Sequence, residues 1–109
     1  MTPSTLKIAF REWFGVPPAE ADLLATLYNA DGQFIPIDDL LPDHDPRSVR
    51  HTVHQRIANL RKAMDTEAID SVPRKGYRLS EVGLAEIRGV ITSIAAEFQA
   101  AAVALQEAA

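Results

Sequence analysis

The sequence predicts a mainly α-helical chain with one small β-hairpin and a long added C-terminal helix. Three observations carry that expectation. Apolar residues recur at helical spacing in several separate stretches. One stretch, Ala68 to Leu79, instead reads as strand, turn, strand. Beyond Ser80, apolar positions repeat every three or four residues for close to three heptads. With 109 residues there is room for one domain and an appended element. A hydrophobic fraction of 47% against 24% charged residues is the balance of a soluble globular chain with one small core.

The first run, Leu6, Ile8, Ala9, Phe10, Trp13 and Phe14, is amphipathic and aromatic-rich, and Gly15 ends it. Residues 1–16 are therefore expected to form an N-terminal helix that contributes Phe10, Trp13 and Phe14 to the core. Pro17 and Pro18 close that element and open the next, because the fixed φ of proline suits a first helical turn. Glu20 and Asp22 fall where the helix dipole favours acids. Ala21, Leu24, Ala25 and Tyr28, joined by Leu23 and Leu27, supply a buried stripe that Asn29-Ala30-Asp31-Gly32 stops. Gln33 to Ile35 is short and β-prone. Ile37 to Leu41 is a helix of a turn or two between Pro36 and Pro42.

Asp45 is a good N-cap and Pro46 a good first residue for a longer helix running to Met64. Val49, Val53, Ile57, Leu60 and Met64 form its buried stripe. The opposite face, at about 100° per residue, carries His51, Gln55, Ala58, Asn59 and Lys62. Arg47 and Ser48 extend that face. Arg50, His54 and Arg61 line one flank and Arg56 the other, and no acid interrupts the exposed side. Ala68 to Val72 and Tyr77 to Leu79 are then strands around a Pro73-Arg74-Lys75-Gly76 turn with two cations at its tip. A lone hairpin is marginal in water, so this one must lean on the helices, with Tyr77 packed beneath it.

Ser80 can cap the last helix, although Gly83 stands where a full capping box needs Glu or Gln. Leu84, Ile87, Ile91, Ile94, Phe98, Ala101 and Leu105 then recur at coiled-coil spacing. A continuous helix here would run about 40 Å, weakened at Gly89 by roughly 1 kcal/mol relative to alanine. Residues 81–109 either pair with a second copy or fold back over Phe10, Trp13 and Phe14. The heptads favour the first, so a homodimer is expected.

Net charge is −4, but it is unevenly spread. Between Arg47 and Arg78 eight basic residues meet three acids, a balance of +5; outside, three bases face twelve acids, a balance of −9. This is a local basic face on an acidic body, able to meet phosphate on one side and repel it elsewhere. The chain has no cysteine, which excludes disulfides, thiol catalysis and cysteine zinc sites and suits a reducing cytoplasm. No stretch is expected to reach the roughly 20 apolar residues of a membrane span, and Met1 to Phe10 lacks a secretory layout.

The order of elements, together with specific residues, resembles the winged helix-turn-helix DNA-binding domain of OmpR/PhoB-type response regulators, over roughly Pro17 to Ser80. The residues that carry the resemblance are Glu20-Ala21-Asp22-Leu23-Leu24-Ala25-Thr26-Leu27, Asp39-Leu40-Leu41, and Thr52-Val53-His54 with Ile57-Ala58-Asn59-Leu60-Arg61-Lys62-Ala63-Met64. Ser71-Val72-Pro73-Arg74-Lys75-Gly76-Tyr77-Arg78-Leu79 completes them. The resemblance implies that residues 17–80 are a winged helix. It also implies that Pro46 to Met64 is a recognition helix for the major groove, and that the turn reaches the minor groove or backbone. Carried over by position, His51, Arg56, Ala58, Asn59 and Arg61 match DNA-touching positions, and Pro73 and Arg74 match the wing contact. The chain departs from the pattern at Ala58 and Asn59, where the family often has two basic residues, and at Pro73, where it usually has arginine. A receiver domain and the N-terminal sheet of the family are not expected here, and the long C-terminal helix is foreign to it.

The expected DNA-binding residues are Arg47, Arg50, His51, His54, Gln55, Arg56, Asn59, Arg61, Lys62, Arg74 and Lys75. Arginine and lysine neutralise phosphates, and Asn59 and Gln55 carry the donor–acceptor pair that matches adenine. His44, His51 and His54 invite a metal reading, since His51 and His54 are three apart on a helix, but with no cysteine and no fixed third ligand nearby no metal is expected. No cofactor is expected either. Asp38-Asp39 has no partner base, which speaks against an enzyme. The sequence thus points to a sequence-specific DNA-binding transcription regulator of bacterial or phage type, expected in the cytoplasm at the nucleoid. Double-stranded DNA is its partner, a homodimer its expected state, and RNA polymerase a further partner open to it. Two alternatives stand beside this reading: a protein-interaction module without DNA binding, and a nucleoid protein without sequence preference.

Overall fold

The computed structural model describes residues 3–41 and 47–108; Pro42, His44, Asp45 and Pro46, to which a helix stop, a possible metal ligand and a helix start were assigned, lie outside the described residues. The chain is mainly helical. Its elements are α1 (Pro3–Phe14), α2 (Pro18–Asn29), α3 (Ile37–Leu40), α4 (Val49–Ala63), β1 (Ile69–Val72), β2 (Gly76–Leu79) and α5 (Glu81–Ala108).

Helix α1 packs on α2 through Leu6 and Phe10, both buried. The Phe10 ring meets Tyr28 edge-on at 6.3 Å and lies 6.2 Å from Phe14. Trp13 does not join this core; it is 46% exposed. It stands about 60° around the last turn from Phe10, and Phe14 takes the inward place. Pro18 opens α2 as its first helical residue. Leu23, Leu24 and Leu27 of α2 and all five expected positions of α4, Val49, Val53, Ile57, Leu60 and Met64, are buried in one cluster.

The two strands pair antiparallel, with Ile69 opposite Leu79 and Val72 opposite Gly76. The β-prone segment before α3 supplies a single bridge in place of a strand. Ile35 N–H donates to the Tyr77 carbonyl at 2.8 Å, and Tyr77 N–H donates to the Ile35 carbonyl at 3.1 Å. Tyr77 is buried beneath the hairpin. The bridge brings the Ile35 carbonyl so close to Gly76 that a Cβ there would overlap it, and Gly76 has φ +101°. Only glycine meets both conditions.

Ser80 caps α5. Its hydroxyl accepts from Gly83 N–H at 3.2 Å and donates to the Glu67 carbonyl at 2.6 Å. Gly89 does not interrupt the helix. Ile87 and Val90 are buried against the body, and Leu84 and Ile91 pack partly against it. The rest projects, giving the molecule extents of 57 × 26 × 21 Å. It does not fold back over Trp13. Contrary to the sequence expectation, Glu81–Glu107 is long and apolar enough to cross a membrane by length and composition, with a mean hydropathy of 1.2. Alanine supplies much of that apolarity, and alanine does not register as a bulky apolar run.

Gly76→Ala is expected to destabilise the fold by roughly 2 kcal/mol or more, because the new methyl group meets backbone and the φ is strained for any other residue. Thermal unfolding followed by circular dichroism measures it; an unchanged midpoint would contradict this account of the bridge.

Candidate nucleic-acid interface

Helix α4 places its side chains by simple rotation. With the buried stripe pointing inward, positions 50, 51, 54, 55, 58 and 62 of α4 fall within an arc of about 140°. Arg50, His51, His54, Gln55, Ala58 and Lys62 are all exposed there, and Arg47, in the turn before α4, is exposed as well. Among the described residues, neither Arg50, Arg56 nor Lys62 makes an ion pair. Arg56 is half-buried on the far flank.

Two expected contact residues are held by the protein instead. Asn59 is half-buried, and its Nδ2 donates to Glu20 Oε1 of α2 at 3.3 Å. It sits about 110° from the middle of the exposed arc, on the flank that meets α2. Glu20 is only 6% exposed, and its other oxygen, Oε2, has no hydrogen-bond partner among the described residues. Among the described residues Asn59 is therefore the one donor to a buried carboxylate, a placement that its spacing alone could not reveal. Arg61 turns toward the hairpin, where Nη2 donates to the Ile69 carbonyl at 2.9 Å. It ties the root of β1 to the end of α4.

The flank of α4 that carries Arg50 and His54 faces the hairpin across a cleft of about 710 Å³. Arg50, His54, Arg74, Tyr77 and Asp38 are among the residues that line it. The His54 ring stands edge-on to Tyr77 at 5.9 Å. The cleft thus has a cation on each side, with one carboxylate, Asp38 of α3, in its lining.

At the hairpin tip, Lys75 N–H donates to the Val72 carbonyl at 3.1 Å, closing a turn with Pro73 second and Arg74 third. Arg74 has φ +69°. A turn with proline second and a positive φ third is the type II pattern, whose third place favours glycine. The arginine here is exposed and makes no ion pair among the described residues. Its neighbours are supported by an aromatic ring that composition did not single out. Phe34 lies under Arg78, 4.4 Å from Cζ to centroid, and under Lys75, 5.8 Å from Nζ. Arg78 also pairs with Asp70 across the hairpin at 3.0 Å. Of the three hairpin cations, Arg78 is paired with Asp70, Lys75 is propped on Phe34, and Arg74 has neither kind of partner among the described residues.

Among the described residues no group of His, Cys, Asp or Glu could hold a metal ion. No family model, no curated protein and no solved structure matches the chain.

Proposed function

We propose that the protein is a winged-helix transcription regulator that binds double-stranded DNA, with α4 in the major groove and the hairpin tip on the adjacent minor groove or backbone. The observation that carries this reading is the placement of cations on both walls of one cleft. Arg50 stands on α4 and Arg74 on the hairpin, while the rest of the chain is strongly acidic. A curved polyanion fits a surface whose charge is concentrated this way and is repelled elsewhere.

The order of helices, with the Ile35–Tyr77 bridge joining the chain before α3 to the hairpin, supports the winged-helix assignment. Base reading falls to the exposed amide and imidazole groups of α4, Gln55 and His51, with Arg50 able to address guanine. Asn59 and Arg61 act from behind, holding α4 to α2 and to β1. They are positioning residues in this reading.

Affinity for duplex DNA is expected to fall steeply with salt. Five exposed cations, Arg47, Arg50, Lys62, Arg74 and Lys75, correspond to a log–log slope of about −4 to −5. Titration by fluorescence anisotropy at several salt concentrations measures it. In the same assay Arg74→Ala with Lys75→Ala weakens binding to every sequence and reduces the slope by about 2. Selection from random duplex DNA should enrich a motif that Gln55→Ala changes. Bound DNA without any motif favours a nucleoid-structuring role, and no binding at low salt rejects the DNA reading.

Asn59→Ala leaves the buried Glu20 carboxylate without a donor, so it is expected to cost roughly 1–3 kcal/mol of stability. Any DNA sequence preference should survive in the folded fraction. A variant of full stability with altered preference would return Asn59 to the reading surface.

A further inference from the structure

Away from the basic face, the chain leaves one other extended surface uncovered, the distal half of α5. Leu84, Ile87, Ile91, Ile94, Phe98 and Leu105 fall within about 80° of one another around the helix. The proximal part of this stripe is covered by the body, where Ile87 is fully buried. The distal part is bare: Phe98 is 78% exposed and Leu105 74%. A continuous apolar stripe, half used inside the chain and half not, marks an interaction surface.

The charge pattern selects the occupant. From Gly89 to Gln106 the only charged residue is Glu97, and no lysine or arginine follows Arg88. The segment therefore offers neither a charge pattern for a charged partner nor the basic anchors with which helices hold anionic lipid surfaces. A second copy of the same helix needs neither. Spacing of three and four residues is what lets such a helix receive the side chains of another in its own holes.

We infer that the distal half of α5 pairs antiparallel with the same segment of a second copy, forming a homodimer. The direction follows from the stripe. Its proximal half already faces the body, so a parallel partner, facing the same stripe, would bring its own body into the space the first body occupies. An antiparallel partner lies beyond the body, and the two bodies take opposite ends of the helix pair. The best register sets the bulky Phe98 against the partner's small Ala101 and Ile94 against the partner's Leu105. The two Glu97 side chains then stand opposite alanines. The pairing requires no DNA and stands independently of the DNA reading.

Sedimentation velocity of the full chain without DNA, from low to high micromolar, is expected to show a dimer. Phe98→Glu with Leu105→Glu should give a monomer with unchanged circular dichroism, since both side chains are exposed in the single chain. A monomer throughout, or a double variant that remains dimeric, overturns the proposal. So does a chain that stays monomeric in solution but floats with phosphatidylcholine vesicles. Orientation is read by a spin label at Gly89→Cys, a unique thiol at a site where a side chain meets nothing. The antiparallel pair places the labels about 30 Å or more apart, and a parallel pair under about 20 Å. A short distance in the dimer overturns the antiparallel arrangement.

Discussion

The basic face depends on a two-bond bridge. A hairpin of two four-residue strands has too little surface to hold itself in water. It is stabilised where Ile35 and Tyr77 exchange backbone hydrogen bonds and where Tyr77 is buried against the helices. Arg61 adds a third tether at the root of β1. These contacts set the separation between α4 and the hairpin tip, and that separation makes the cleft. Gly76 belongs to the same constraint, because any side chain there would push the Ile35 carbonyl away and open the bridge.

The fold also sorts charge. The chain is acidic overall, yet the acids lie mostly on α2, α3, α5 and the connections, while α4 carries none. Where an acid does approach α4 from the α2 side, Glu20, it is buried and answered by Asn59. A buried carboxylate with one donor is costly to leave alone. That cost explains why an amide at the edge of the exposed arc is spent inside the molecule. The outward face is left to Gln55, the histidines and the cations Arg50 and Lys62, which in the DNA reading keeps it uniformly attractive to phosphate.

How much of this was legible in the sequence follows from how local each determinant is. The stripe of α4, the Pro73–Gly76 turn, the Ser80 cap and the unbroken α5 are set by neighbours within a turn or two, and periodicity and turn chemistry revealed them. Partners remote in sequence were not legible. Asn59 and Glu20 are thirty-nine residues apart, and rotation alone put Asn59 near the outer face. Phe34 read as part of a β-prone triplet, while its ring supports Lys75 and Arg78 from far upstream. Trp13 failed for a different reason: an aromatic near the edge of a stripe in a last turn can face either way, and the crossing of α2 chose Phe14.

Arg74 ties the energetics of the hairpin to its proposed use. Its backbone lies in the left-handed region, at a turn position where glycine would be unstrained. Holding a non-glycine residue there costs on the order of 1 kcal/mol. The side chain makes no ion pair or cation–π contact among the described residues that would offset that cost, whereas the neighbouring Lys75 and Arg78 both rest on Phe34. A hairpin shaped for stability alone would carry glycine at this tip. The strained turn instead presents a guanidinium beyond the end of the strands, on the opposite side of the cleft from Arg50. In the proposed function a polyanion bridging the two walls would supply the compensation, and this is the physical sense in which the hairpin and α4 would form one binding surface.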